Sequence, residues 1–328
     1  VNAFTFTRAE TVGDALHAAG GQAAFVAGGT TLIDLMKLDV MRPTAVVDIN
    51  HLPLADVART PDGGLRIGAL ARNADVAHHP DVRRNYPVLS EALLSGASGQ
   101  LRNMASTGGN LLQRTRCVYF RDTASACNKR SPGSGCAAIG GYNRNLAILG
   151  TSEHCIALNP SDQNVALAAL EATVQITGAR GDRSVPIAEF HLMPGDHPER
   201  ETVLAPGELV TSVTLPPPVA GASATYLKLR DRASYEFALA SAAVIIAVDA
   251  GTIRHARIAM GGIGTKPWRN VDAEAALEGK APASKRFAEA AAIVLRDAKP
   301  QPGNAFKVEL AKRCLVAALT MVTNGALP

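Results

Sequence analysis

Aromatic residues are scarce in this chain of 328 residues: Phe, Tyr and Trp together make up 4 %, with a single tryptophan. A general nucleic-acid binder interleaves aromatics with a broad basic face. Here the net charge is only +4, so that class is excluded. No apolar run approaches the roughly 20 residues needed to cross a bilayer. The opening residues, Val1 to Phe6, lack the basic head and apolar stretch of a signal peptide. The expected location is therefore the cytoplasm, or the periplasm through co-export with a partner subunit. No Ser-His-Asp set and no paired carboxylates for acid–base work stand out. What is present is an ordinary globular composition, 47 % apolar and 19 % charged, in a chain long enough for two domains.

Hydrophobic periodicity predicts a mixed arrangement in the first two thirds. Phe25-Val26-Ala27 reads as a short strand ending at Gly28-Gly29, with Thr30 or Thr31 capping a helix that runs to Lys37. Strands are expected at Ala45–Ile49, Leu65–Ala69, Thr173–Thr177 and Glu208–Leu215, and helices at Val88–Leu94 and Asn164–Ala172. Pro216-Pro217-Pro218 is the expected domain boundary. Beyond it the pattern gives strands at Thr225–Arg230, Leu239–Val248 and Ile253–Met260. Helices then follow near Ala273–Leu277, Lys285–Arg296 and Phe306–Thr323, an order that suggests a separate α+β domain.

Four of the five cysteines lie within 39 residues, in the pattern Cys117-x9-Cys127-x8-Cys136-x18-Cys155. The intervening Asn128-Lys129-Arg130-Ser131-Pro132-Gly133-Ser134-Gly135 is loop-forming. From Arg102 to Arg144 there are seven basic residues (Arg102, Arg114, Arg116, Arg121, Lys129, Arg130 and Arg144) against one acid, Asp122. Such charge is expected to favour thiolate, the metal-ligating form, and to offer a docking face to an acidic partner. Four thiolates on an irregular loop suit zinc or an iron–sulfur cluster. Two disulfides, or buried free thiols, are the alternatives. Cys314, among Leu310, Leu315 and Val316, reads as a buried structural thiol.

Two glycine loops carry binding chemistry. Val26-Ala27-Gly28-Gly29-Thr30-Thr31-Leu32 joins a strand to a helix start, where N–H groups can hold a phosphate. It has neither the Lys of a P-loop nor the third glycine of the dinucleotide fingerprint. Ala105-Ser106-Thr107-Gly108-Gly109-Asn110-Leu111 repeats the small-hydroxyl-Gly-Gly pattern about 80 residues later. Two such loops suggest two sides of one extended ligand. Two unrelated tight turns remain the alternative.

These loops occur together with Pro160-Ser161-Asp162, Gly207-Glu208-Leu209-Val210, Lys228-Leu229-Arg230-Asp231-Arg232 and Gly261-Gly262-Ile263-Gly264-Thr265-Lys266-Pro267. In this order the set resembles, nearly end to end, the flavin-binding medium subunit of the molybdenum hydroxylases, the xanthine dehydrogenase and carbon monoxide dehydrogenase family. Most members pass almost directly from the Gly-Gly-Asn loop to the Ser-Asp helix. Here Leu111 to Asn159 intervenes with the four cysteines. Arg116-Cys117-Val118-Tyr119-Phe120-Arg121 with Cys127-Asn128-Lys129-Arg130 is similar to bacterial three-subunit aldehyde oxidoreductases, whose flavin subunit holds an extra [4Fe–4S] cluster.

The resemblance implies an α+β chain. Its two-subdomain FAD-binding domain, of the PCMH or vanillyl-alcohol-oxidase-like type, would span 1–218 (subdomains about 1–52 and 53–218). The [4Fe–4S] insertion would span about 111–159, and the C-terminal α+β domain 219–328. It implies that Val26, Ala27, Gly28, Gly29, Thr30, Thr31 and Leu32 wrap the FAD pyrophosphate and ribityl. Thr107, Gly108 and Asn110 would contact the other face of the dinucleotide, with Ala97 leading there. Asp162 would bind the adenosine ribose, Val210 would pack by the flavin, and Lys228 would place positive charge at the ring's polar edge. Cys117, Cys127, Cys136 and Cys155 would ligate the cluster. Gly96 stands where eukaryotic relatives carry a Phe against the flavin. The implied role is electron transfer within a complex with a small [2Fe–2S] subunit and a large molybdenum-cofactor subunit, delivering electrons to an external acceptor. The competing readings are a free-standing flavin oxidoreductase and a zinc-stabilised interaction module.

Overall fold

The computed structural model describes residues 1–323. Three sheets organise them. The first is a parallel sheet of β1 (Thr5–Arg8), β2 (Ala23–Val26) and β3 (Ala45–Asp48) in the order β1-β3-β2. Its connections are α1 (Val12–Ala18) and α2 (Leu32–Lys37). Thr11 starts α1 with a capping box: its hydroxyl accepts from Asp14 N at 3.1 Å and its own N–H donates to Asp14 Oδ2 at 2.9 Å.

The second sheet is antiparallel, in the order β4-β5-β8-β6-β7. It contains β4 (Val57–Arg59), β5 (Leu65–Gly68), β6 (Thr173–Gly178), β7 (Gly181–Pro186) and β8 (Leu209–Leu215). Between β5 and β6 run α3 (Asn73–His78), α4 (Pro80–Asn85), α5 (Pro87–Ser95), α6 (Gly99–Met104), α7 (Thr107–Leu111), α8 (Val118–Arg121) and α9 (Asp162–Ala169). The short α10 (Ile187–Phe190) follows β7. After Pro216-Pro217-Pro218 the chain enters a third, antiparallel sheet of β9 (Ala222–Leu229), β10 (Ala240–Asp249), β11 (Thr252–Gly261) and β12 (Trp268–Arg269). The helices α11 (Val271–Leu277), α12 (Ser284–Val294) and α13 (Phe306–Thr323) complete the described residues.

The third sheet is buried on both faces, which is why β10 reads Ala-Ser-Ala-Ala-Val-Ile-Ile-Ala. Successive side chains of a strand point to opposite sides, and the packing follows that period. Ala242, Val244 and Ile246 join Phe287, Leu315 and Leu319 of the C-terminal helices. Ala243 and Ile245 join Val165 and Leu167 of α9 and Leu89 and Leu93 of α5. Helix α9 is thus buried along its whole length. Its polar first turn is satisfied internally: Gln163 Nε2 donates to Thr107 O (3.1 Å) and Asn164 Nδ2 to Leu111 O (3.1 Å). It ends earlier than the expected Ala172, because Glu171 takes a φ of 54° to turn the chain into β6.

The seam between α9 and the third sheet has no spare room at Gly261, where a Cβ would overlap Val165 Cγ2 and reach 2.6 Å from Ser241 Oγ. Gly261→Ala should destabilise the chain by about 1–3 kcal/mol through overpacking. Adding Val165→Ala should recover part of that loss, the coupling expected of touching residues. Urea unfolding of the two single variants and the double variant checks this; strict additivity would contradict the contact.

Candidate functional site

Val26 and Ala27 carry the chain out of the first sheet into the turn before α2. A Cβ at Gly28 would overlap the carbonyl oxygen of Met104. Glycine is required there because two backbones touch, so a substitution at 28 tests packing before it tests ligand binding. Gly29 has a φ of 72°. Among the described residues, the N–H groups of Gly28, Gly29, Thr30, Thr31 and Leu32 donate to no protein acceptor. Thr31 occupies the cap position of α2, but its side chain makes no capping bond, unlike the expected role. Consecutive unpaired N–H groups beside a cavity form an anion cradle.

The second loop does not repeat this chemistry. It is the short helix α7, capped by Ser106, whose Oγ accepts from Gly109 N at 3.2 Å. Thr107 N and Gly108 N donate to Ala71 O (2.9 Å) and Ala69 O (2.8 Å), and Asn110 N to Ser106 O (2.8 Å). The Thr107 hydroxyl donates to Ala71 O at 3.1 Å, and the residue is buried away from both cavities described next. What the loop presents is the bare backbone of Gly108 and the Asn110 amide. Asn110 Oδ1 accepts from Ser161 Oγ at 2.8 Å and from Gln113, while Nδ2 has no protein partner among the described residues.

Two cavities meet along these loops. An apolar one of about 340 Å³ is lined by Ala27 to Leu32 together with Phe25, Ile49, Leu70, Gly108 and Val210. A more polar one of about 300 Å³ is lined by Gly96, Ala97, Asn110, Asp162, Gln163 and Lys228. Thr30, Thr31 and Gly109 border both, which makes one continuous cleft. Asp162 and Lys228 form an ion pair at 2.8 Å, their side chains only 9 % and 2 % exposed. Tyr226 Oη donates to the other carboxylate oxygen at 2.6 Å, and Lys228 Nζ also donates to Ser95 O at 3.1 Å. Asp162 and Lys228 therefore cannot serve opposite ends of an extended ligand, and the charge of Lys228 is already balanced. Val210 lies at the far, apolar end. Ala97 holds a φ of 53° at the polar end, and a Cβ at Gly96 would stand 3.2 Å from Asp162 Oδ2.

The segment between α7 and α9 encloses a second, smaller cavity. Cys117, Cys127, Cys136 and Cys155 all line it, with Phe120, Lys129, His154 and Ala157. All five cysteines of the chain are free thiols, so the two-disulfide alternative fails. Among the described residues no three His, Cys, Asp or Glu side chains are placed to share one metal ion, so the zinc alternative finds no site. Burial pushes the Cys117 thiol up and Cys155 to about 11, Lys129 pulling the latter back. Local positive charge alone does not make these groups thiolates, contrary to expectation. Cys314 is fully buried and pushed to about 12.

The basic residues of the segment face inward. Arg121 binds Asp34 of α2 through two bonds (2.8 and 3.0 Å), and Arg116 adds a third at 3.0 Å. Arg130 donates to Tyr119 O and Phe120 O at 2.7 and 2.8 Å. Arg114 and Lys129 share Glu201, and Arg144 binds Asp231 at 2.7 Å. Arg102 donates to Gly96 O at 2.7 Å. The expected basic docking face is therefore not there: its charges tie the segment to the body. The acidic partners Asp34, Glu201 and Asp231 lie far away in sequence, and no spacing signal marks them.

Residues 2–218 match the family model described as the FAD binding domain in molybdopterin dehydrogenase, and residues 199–322 match the CO dehydrogenase flavoprotein C-terminal domain. The chain belongs to the FAD-binding subunits of the molybdenum hydroxylases. This flavin subunit is 51 % identical to the aldehyde oxidoreductase FAD-binding subunit PaoB of Escherichia coli (strain K12), over 97 % of this chain and 98 % of that one. It is 26 % identical to the carbon monoxide dehydrogenase medium chain of Hydrogenophaga pseudoflava, covering 96 % of each. The solved carbon monoxide dehydrogenase of that organism shares its fold, with a TM-score of 0.77 at 24 % identity over 100 % of this chain and 99 % of that chain. Among the described residues of the flavin subunit, no helix is long and apolar enough to cross a membrane.

Arg121, more than any other group, holds the Asp34 carboxyl below its ordinary value. A depressed folded pKa gives stability that is present above the unfolded value, about 3.9, and is lost as the pH falls through the folded one. Arg121→Gln should accordingly be less stable than the parent at pH 7, with the gap closing as the pH drops below about 4. Thermal unfolding across that range reads the difference; a gap independent of pH would contradict the pairing.

Proposed function

We propose that this chain is the electron-transfer flavoprotein subunit of a molybdenum hydroxylase that oxidises aldehydes to carboxylic acids. One observation carries the binding side of the reading: a continuous cleft with an unpaired N–H cradle at its middle, an apolar end and a polar end. A dinucleotide needs those three features in that order. The residues fit FAD as follows. The N–H groups of Gly28 to Leu32 hold the pyrophosphate, and Thr30 and Thr31 add hydroxyls. The adenine enters the apolar end beside Phe25, Ile49 and Val210. The isoalloxazine would be held at the polar end, by Ala97, Asn110 Nδ2 and the Asp162–Lys228 pair. This reverses the sequence-based placement of Val210 and Asp162. When bound, FAD supplies two-electron acceptance and release. The chain positions the ring, excludes water from its buried edge, and presents a neutral ion pair there rather than a free cation.

The four thiols that line one small cavity fit a [4Fe–4S] cluster better than a single ion. Ligands of one zinc share a centre only about 2.3 Å from each sulfur, whereas cluster thiolates sit on separate irons. Lys129 lines the same cavity and offsets negative charge. In this reading the chain works as the medium subunit between a small [2Fe–2S] partner, a large molybdenum-cofactor partner and an external acceptor. Two curated relatives point to the substrate class by name: PaoB is an aldehyde oxidoreductase subunit, and a Sulfolobus acidocaldarius relative, 29 % identical, is the glyceraldehyde dehydrogenase medium chain.

Two sets of variants test the cofactor assignments. Thr31→Val removes a hydroxyl that makes no capping bond, so the flavin-free chain should keep its melting temperature. FAD retention should fall about tenfold, the worth of one hydrogen bond. Unchanged FAD affinity, or a lowered melting temperature without FAD, would count against a Thr31 hydroxyl contact to the pyrophosphate. Separately, Cys117→Ser, Cys127→Ser, Cys136→Ser and Cys155→Ser should each reduce iron and sulfide in the assembled complex to the content of the partner's clusters, while Cys314→Ser leaves both unchanged. Full iron in all four variants would sink the cluster.

A further inference from the structure

We propose that Glu201 sets the electron affinity of the cluster relative to the flavin, acting as the shared counter-charge of two cations that stand between the two centres. The inference rests on the reading that the four thiols hold a cluster and the cleft holds FAD. A third cavity, about 510 Å³, separates those sites. It shares Lys129, Cys155 and Ala157 with the cysteine cavity, and Leu112, Arg114 and Leu204 with the apolar end of the cleft. Glu201 lines it from the segment in which Leu192 N donates to Glu201 O at 3.0 Å.

The carboxylate accepts from Arg114 Nε and lies 3.0 Å from Lys129 Nζ. Lys129 is 9 % exposed in its side chain, follows Cys127 by two residues, and lines the cysteine cavity itself. Arg114 stacks over Phe120 at 4.7 Å, and Phe120 is fully buried against the same cysteines. Lys129 lines the cysteine cavity and Arg114 also lines the apolar end of the cleft, and one carboxylate balances both. Charges this little exposed are weakly screened. Glu201 neither gives nor takes an electron or a proton. It fixes how much of the Lys129 charge the cluster feels. Because Arg114 borders the adenine end and not the polar end with Lys228, the flavin ring should feel the change less than the cluster.

The test uses the assembled complex, poised at a fixed potential, with the [4Fe–4S] signal read by electron paramagnetic resonance and the flavin by absorbance. Glu201→Gln should raise the reduced-to-oxidised ratio of the cluster about tenfold, equivalent to about 59 mV for one electron, and move the flavin ratio less. Lys129→Gln should shift the cluster the opposite way, and the double variant should return towards the parent. An unshifted cluster in Glu201→Gln with iron and FAD retained overturns the proposal, as do shifts of the same sign in both single variants. If Glu201→Gln loses iron, the Lys129→Gln shift decides the sign; loss of iron in both shows a purely structural clamp and overturns it. Failure of the underlying reading looks different: the parent complex itself would hold no iron beyond its partner's clusters.

Discussion

The buried ion pair of Asp162 and Lys228 is the contact on which the rest of the site depends. It joins three segments of the buried core: the first turn of α9, strand β9 of the third sheet, and the carbonyl of Ser95 at the end of α5. Tyr226, also on β9, adds a bond to the same carboxylate. A pair this buried gains little net stability, but losing one partner leaves an uncompensated charge and costs about 3–5 kcal/mol. Its effect is therefore to fix geometry. The apolar seam of α5 and α9 against β10 is close-packed but non-directional, whereas the pair sets the position at which the polar end of the cleft closes. The same arrangement leaves Lys228 charge-balanced rather than a free cation in the cleft.

The insertion is attached by a comparable logic. The cysteine segment buries Phe120, Leu146, Ile148, Leu149 and Ile156, and it is anchored through charge as well. Arg116 and Arg121 bind Asp34, which lies on the helix that begins immediately after the N–H cradle. Arg144 reaches Asp231 near the polar end, and Lys307 and Asn304 hold the carbonyl of Leu146. The return leg is stitched to the C-terminal part by Ile148 N and Leu149 N donating to Ile263 O, at 2.8 and 3.0 Å. The cysteine segment and the first glycine loop thus share helix α2, so a change in one is felt by the other through Asp34.

Much of this was legible in the sequence wherever the signal is local. The helix Phe306–Thr323 and strands β9, β10 and β11 follow directly from apolar period and length, whereas the two-residue β12 is too short to carry a period. The glycine loops marked the cleft, and the clustering of four cysteines marked their cavity. The rest depends on partners distant in the chain. Two loops of the same text are chemically different, because Ser106 and the carbonyls of Ala69 and Ala71 satisfy the second, while the N–H groups of the first have no acceptor among the described residues. Gly28 announces a ligand in sequence, yet its need for glycine comes from Met104. Asp162 and Lys228 were read as separate contacts since 66 residues divide them. The excess of arginine in the insertion suggested an outward basic face, because Asp34, Glu201 and Asp231, which neutralise it, lie outside that stretch.

In the proposed function, electrons reach this chain only from partner subunits. Anaerobic addition of an aldehyde, followed by the flavin absorbance, tests it most directly when the assembled complex is compared with the chain alone carrying FAD and iron. The account predicts bleaching of the flavin in the complex and none in the chain alone. Bleaching of the isolated chain at a rate comparable to that of the complex would contradict it, and would make this a flavin oxidoreductase in its own right.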